Sequence, residues 1–178
     1  MAGGTRVIFA KKKVEKAILT PIIAEQTRRL IAYAERTIGV IGASINNYHG
    51  ANHMDRTGTL LDSLCWGVYY GGKAKKVGYY RSSEAYENSH LHEWQTPKGE
   101  EIDGHLRAAK FINSYNPQSH GWEVFFAVLA PYWGYWEKGH RNIRNGRFQH
   151  FAVMTQYYDV VKKDLSPAKV TFKNYVPR

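Results

Sequence analysis

The sequence predicts an α+β domain: a small antiparallel sheet packed by an N-terminal and a C-terminal helix, with a long loop excursion. Three observations carry this. Apolar residues recur at helical spacing near both ends of the chain. Aromatic and β-branched segments bounded by glycines lie between them and read as strands. A polar stretch over residues 82–120 interrupts those strands and is too long for an ordinary connection. The 178 residues suit a single domain, 1–178, with 82–120 as a loop or arm inserted in the sheet.

The elements follow in order. Val14, Ile18, Ile22, Leu30, Ala34 and Ile38 fall close to a three-to-four spacing and predict a helix over 14–38. Thr20-Pro21 either starts that helix or kinks it. Gly39, Gly42 and the polar run from Asn46 are its expected end. Leu60–Tyr70 and Val77–Arg81 predict a hairpin turning at Gly71-Gly72-Lys73. Within 82–120, Glu84, Glu87, Glu93, Glu100 and Glu101 precede Asp103, and a short helix fits His105–Ile112. Gly121–Ala130 is apolar on both faces, as a central strand covered on both sides would be. Pro131 then opens a short aromatic helix, Tyr132–Lys138, that stops at Gly139. Residues 140–147 form a basic loop. Phe151, Met154, Tyr158, Val161 and Leu165 mark one buried stripe on a helix running from Phe148 to Leu165. Ser166-Pro167 ends it, and Lys169–Tyr175 alternates like an edge strand.

Composition narrows the function classes. At 43% hydrophobic and 14% aromatic, the chain has material for a core and is not chiefly disordered. Cys65 is the only cysteine, which excludes a disulfide scaffold and a cysteine-rich zinc site. The longest apolar run, Val124–Trp136, is broken by Pro131 and Gly134, so no membrane partner is expected. The N-terminus lacks the apolar centre of a signal peptide, and synthesis and folding in a cytoplasm are expected. The net charge of +10 sits at the ends: residues 1–37 and 138–178 are basic, while 38–137 is slightly acidic. Such a distribution suits one surface facing an anionic partner, nucleic acid or acidic protein, or simple solubility.

Two segments carry more. The first is Asp55-Arg56-Thr57-Gly58-Thr59-Leu60-Leu61-Asp62-Ser63-Leu64, in which Thr57-Gly58 reads as a turn into a strand. The second is Tyr132-Trp133-Gly134-Tyr135-Trp136-Glu137-Lys138-Gly139-His140. Glu137 there lies at a helix C-terminus, where the macrodipole disfavours an anion, so it calls for a donor partner. Together the segments resemble the minor tail proteins of tailed bacteriophages, the neck or tail-completion family. Thr57, Gly58, Leu60 and Ser63 match its Thr-Gly-x-Leu-x-x-Ser signature. Tyr132, Tyr135, Glu137 and Gly139 match its second signature, and Phe148 the opening of its last helix. Trp133, Trp136, Lys138 and His140 depart from the pattern.

The resemblance implies a structural protein of the virion, assembled in the host cytoplasm. Such a subunit forms a ring, usually six-fold, at the head–tail junction, against neck, connector or tail-tube proteins and around a channel that genomic DNA traverses. No cofactor and no catalysis follow from it. Lys11, Lys12, Lys13 and Lys16, with Arg141, Arg144 and Arg147, are the candidates for facing an acidic neighbour or DNA. The 82–120 segment is the candidate for reaching that neighbour.

Other chemistries fit less well. His90-Leu91-His92-Glu93 could offer metal ligands, but His49, His53, His105, His120 and His140 show no spacing that completes a set. Gly71-Gly72 lacks the continuation of a phosphate loop, and Cys65 lies in an apolar strand like a core residue. The main alternative is a basic nucleic-acid-binding module, with Lys and Arg for phosphates and Tyr and Trp for stacking.

Overall fold

A computed structural model describes residues 4–46, 59–80, 94–95, 101–130, 133–138, 140–141, 148–149 and 153–173. Its first element is a helix, α1, Gly4–Asn46, whose 43 residues span about 65 Å. It is longer at both ends than the predicted 14–38 and runs unbroken through Pro21, Gly39 and Gly42. A glycine inside a helix costs about 1 kcal/mol relative to alanine. At Gly42 packing offsets that cost, because a β-carbon there would overlap the Tyr80 ring. The glycine admits a neighbour and does not stop the helix. Leu30, Ala34, Ile38, Ile41 and Ile45 form the buried seam of α1, while every side chain from Lys13 to Ile22 is exposed.

A short helical turn follows, α2, Thr59–Asp62, then strands β1, Leu64–Tyr70, and β2, Lys73–Tyr79. The predicted hairpin forms, but its first strand begins later, since residues 59–62 are helical, and its second begins at Lys73, four residues ahead of the predicted Val77. The two strands turn at Gly71 and Gly72, whose φ values of 58° and 75° suit a two-residue hairpin turn. The register slips at Val68/Tyr69, leaving Lys75 as an extra residue.

Residues 94–95 and 101–102 pair as the small strands β3 and β4, and a helix, α3, Gly104–Ser114, comes next. Asp103 caps it by accepting from the Leu106 N–H at 2.8 Å. Strand β5, Trp122–Val128, is central, and β8, Lys169–Lys173, closes the sheet in the order β2-β1-β5-β8. The α+β class is the predicted one, with a correction: β5 and β8 pair parallel, so the sheet is mixed. The chain between them makes a helical crossover, which is what a parallel pair requires.

Side-chain parity along the strands sorts the core into two layers. Trp66, Val68, Val124, Phe126 and Val128 join the seam of α1, while Cys65, Tyr69, Phe125 and Ala127 meet α3. The expectation that 121–130 is covered on both sides holds, and α3 is the second cover. Residues 104–115 of the segment read as an excursion thus belong to the core, through Ala108, Phe111, Ile112 and Tyr115. The crossover from β5 to β8 contains helix α4, Trp133–Lys138, the paired strands β6, His140–Arg141, and β7, Phe148–Gln149, and helix α5, Val153–Asp164. Phe148 lies in β7 and does not open the last helix. Met154, Val161 and Leu165 from the expected stripe are buried, Tyr158 packs beside them, and Phe151 lies outside the described residues.

Candidate functional site

The first family-like segment ends in a hydroxyl that binds the chain just ahead of the second. Ser63 is fully buried; its Oγ donates to the Leu60 carbonyl at 2.8 Å and accepts from the N–H groups of Leu129 at 3.1 Å and Ala130 at 3.0 Å. One donor and two lone pairs are all that a serine offers, and all are used. The Ala130 carbonyl then accepts from the N–H of Trp133, which starts α4. Trp133 is buried at 1% exposure, and its indole N–H has no acceptor among the described residues. Leu60 is fully buried beside this junction. Tyr135 and Glu137 lie on α4, and Phe148 lies in β7. Thr57, Gly58, Tyr132 and Gly139 lie outside the described residues.

A second polar centre lies on the α3 side of the sheet. Glu123, 1% exposed near the start of β5, accepts from the Tyr115 hydroxyl at 2.6 Å, the Gln118 N–H at 2.7 Å and the Thr171 hydroxyl at 3.3 Å. Lys169 Nζ sits 2.9 Å from the same carboxylate. Burial alone would raise the Glu123 carboxyl, but these donors together hold it below its ordinary value. Tyr115 moves the opposite way, raised by burial and by the carboxylate it donates to. The network fastens α3, the loop after it, β5 and β8 at one point, and every partner it uses comes from the fold itself. Its signal was legible: a lone carboxylate in the apolar run Trp122–Ala130 must be partnered if that strand is central.

The basic candidates scatter. Lys13 and Lys16 are exposed on the outer half of α1, which also carries Lys11 and Lys12. Arg141 lies in β6, while Arg144 and Arg147 lie outside the described residues. A basic group that the sequence reading did not single out stands on β2, where Lys73, Lys75 and Lys76 are exposed. Lys76 Nζ pairs with Glu35 of α1 at 2.6 Å. Arg28 and Arg29, one face further along α1, bind Glu25 at 3.0 and 2.7 Å and hold its carboxyl at about 2.

Among the described residues, the outer half of α1 carries the largest apolar exposure. Val14, Ile18, Leu19 and Ile22 are 52–57% exposed. With about 100° between successive helical residues, Val14, Ile18 and Ile22 point roughly 160° away from the Leu30–Ile45 seam. Beside the inner half, Ile38, Gly39, Trp66, Gly78, Tyr79 and Tyr80 line a cleft of about 340 Å³, with Glu35 and Lys76 at its rim.

Cys65 is buried, and burial pushes its thiol up to about 12, which suits a core residue and not a nucleophile. Among the described residues, no three His, Cys, Asp or Glu side chains gather as a metal site would need. His90, His92 and Glu93 lie outside them, and His105 stacks on Tyr79 at 4.2 Å. No helix among the described residues is long and apolar enough to cross a membrane. No protein-family model, curated protein or solved structure matches the chain.

Proposed function

We propose that this chain is a structural virion subunit that works by symmetric self-association, a ring-forming neck or tail-completion protein at the head–tail junction of a tailed phage. Its partners are copies of itself and the adjoining neck, connector or tail-tube proteins, around a channel for the genome. It performs no catalysis. One observation carries the reading: the apolar stripe of Val14, Ile18 and Ile22 on the side of α1 turned away from the core. Single exposed apolar side chains need no explanation, but an aligned stripe on an exposed helix marks a contact surface.

A ring contact needs two different complementary patches on one subunit. The stripe supplies one, and the cleft between α1 and β2 supplies a second of different shape. The Ser63 bridge between the segments that resemble the family supports the same reading. Light scattering and electron microscopy of the purified chain test it. Rings are expected for the natural sequence, and Ile18→Asp with Ile22→Asp should yield monomers that melt close to the dilute, unassembled natural chain. A chain that stays monomeric both alone and beside purified tails, or a double variant that still assembles, rejects the proposal.

A further inference from the structure

We propose that the end of the sheet at the β1–β2 turn is a phosphate-binding surface that takes the backbone of nucleic acid. Lys73, Lys75 and Lys76 are exposed there on one short strand. The bulge at Val68/Tyr69 makes Lys75 the extra residue, and its Nζ lies 5.7 Å from the centre of the Tyr70 ring. Tyr70 in turn packs on Trp122 of β5, ring centres 4.4 Å apart. A cation is therefore held over an aromatic pair at the sheet's end.

Helix α1 brings further charge to the same place. It runs alongside β2 in the same direction, since Glu35 meets Lys76 and Gly42 meets Tyr80. Seven helical residues before Glu35 cover about 10 Å, as do three strand residues before Lys76. Arg28 thus comes level with Lys73, on nearly the same side of the helix as Glu35. Arg28 and Arg29 are 77% and 70% exposed. Five cations here face two carboxylates, Glu25 and Glu35, each already paired.

Lysines on an edge strand also guard against pairing with another sheet. That role needs neither the aromatic pair beneath Lys75 nor the arginines of a different element. A polyanion with regularly spaced charges and stackable rings uses all of them. The surface lies within one chain, so this inference goes beyond ring formation and does not require it.

Fluorescence anisotropy with a short labelled duplex and the matching single strand tests the assignment, from about 50 to 200 mM salt. Binding in the micromolar range is expected at low salt, with log affinity falling against log salt at a slope of about −3. Lys73→Glu with Lys75→Glu should weaken binding at least tenfold at low salt and reduce the slope by about 2. Lys73→Gln with Lys75→Gln, which adds no repulsion, should show a smaller loss in the same direction. Arg107→Glu, an exposed site on α3 across the sheet, should change neither quantity. Unchanged affinity in both double variants overturns the proposal. Equal displacement of the duplex by polyglutamate also overturns it, in favour of an acidic protein partner. Light scattering on the same samples reads assembly separately, so a failure to bind and a failure to form rings are told apart.

Discussion

Between Leu30 and Ile45, α1 keeps its seam residues at 0–3% exposure; between Val14 and Ile22, the same helix leaves its large apolar residues 52–57% exposed. The local rules are identical in the two halves. Part of the difference lies in how the spacings add. A step of four residues overshoots a full turn by about 40°, so Val14, Ile18 and Ile22 already sweep roughly 80° around the axis. Leu30, Ala34 and Ile38 sweep again, and the step of three to Ile41 then brings the seam back. The inner half therefore stays on β1 and β5, while along 13–22 every side chain is exposed, Leu19 on the seam side included, so the outer half lies beyond those strands. One helix presents two seams, and only one belongs to its own core.

That contrast can be broken experimentally. The largest effect is expected from Ile41→Ala, which should cost about 3 to 4 kcal/mol in a urea titration, because the side chain is fully buried. Ile18→Ala should cost less than about 0.5 kcal/mol in a dilute, unassembled chain. Equal losses at the two positions would show that the outer half packs on its own body.

Acid should separate the halves next. The folded chain holds Glu123 below the ordinary carboxylate value of 4.5. Its stabilisation is therefore complete above that value and is lost as pH falls through the lower folded value. Glu25, on the outer side of α1, stays ionised to about 2. Stability of the body should decline in acid while the Glu25 pairs persist. Glu123→Gln should lower stability by about 2 kcal/mol at neutral pH and flatten that acid limb, because Lys169 loses its carboxylate but remains half solvated. An unaltered acid limb in the variant would remove Glu123 as its cause.

The smallest effect sharpens the comparison inside the packed half. A β-carbon at Gly39 meets open space, whereas one at Gly42 meets the Tyr80 ring. Gly39→Ala should raise the unfolding free energy by up to about 1 kcal/mol, and Gly42→Ala should not, as thermal melts of the pair will report.

Much of the architecture is legible in the residues, and the failures have physical causes. Strand β5 is readable because a run with no polar alternation must be covered twice. The same reasoning demands a second layer, and Ala108, Phe111, Ile112 and Tyr115 supply it; the short helix expected at His105–Ile112 forms over Gly104–Ser114, but within a segment read as an excursion from the core. The extent of α1 is not legible, because the residue that excuses Gly42 lies on another element, at Tyr80. Nor does a list of apolar positions at fours disclose that it winds around the axis. Residues 59–62 look like strand because Leu60 and Leu64 are apolar; their helical turn positions Ser63 to bind the end of β5, a partner 66 residues away. The lysines of β2 are not singled out by the sequence, because the Tyr70–Trp122 ring pair beneath Lys75 is assembled from two other strands.

Pro21 has one more consequence. It sits inside α1 with no N–H to offer, so the Ala17 carbonyl lacks the rung that every regular helical carbonyl receives. A rod with a single missing rung yields there before it yields elsewhere. Torque applied to residues 4–20 would be taken up first at that joint, ahead of the seam on β1 and β5. In the proposed ring, neighbouring copies could accordingly meet at slightly different angles while each keeps its interior undisturbed.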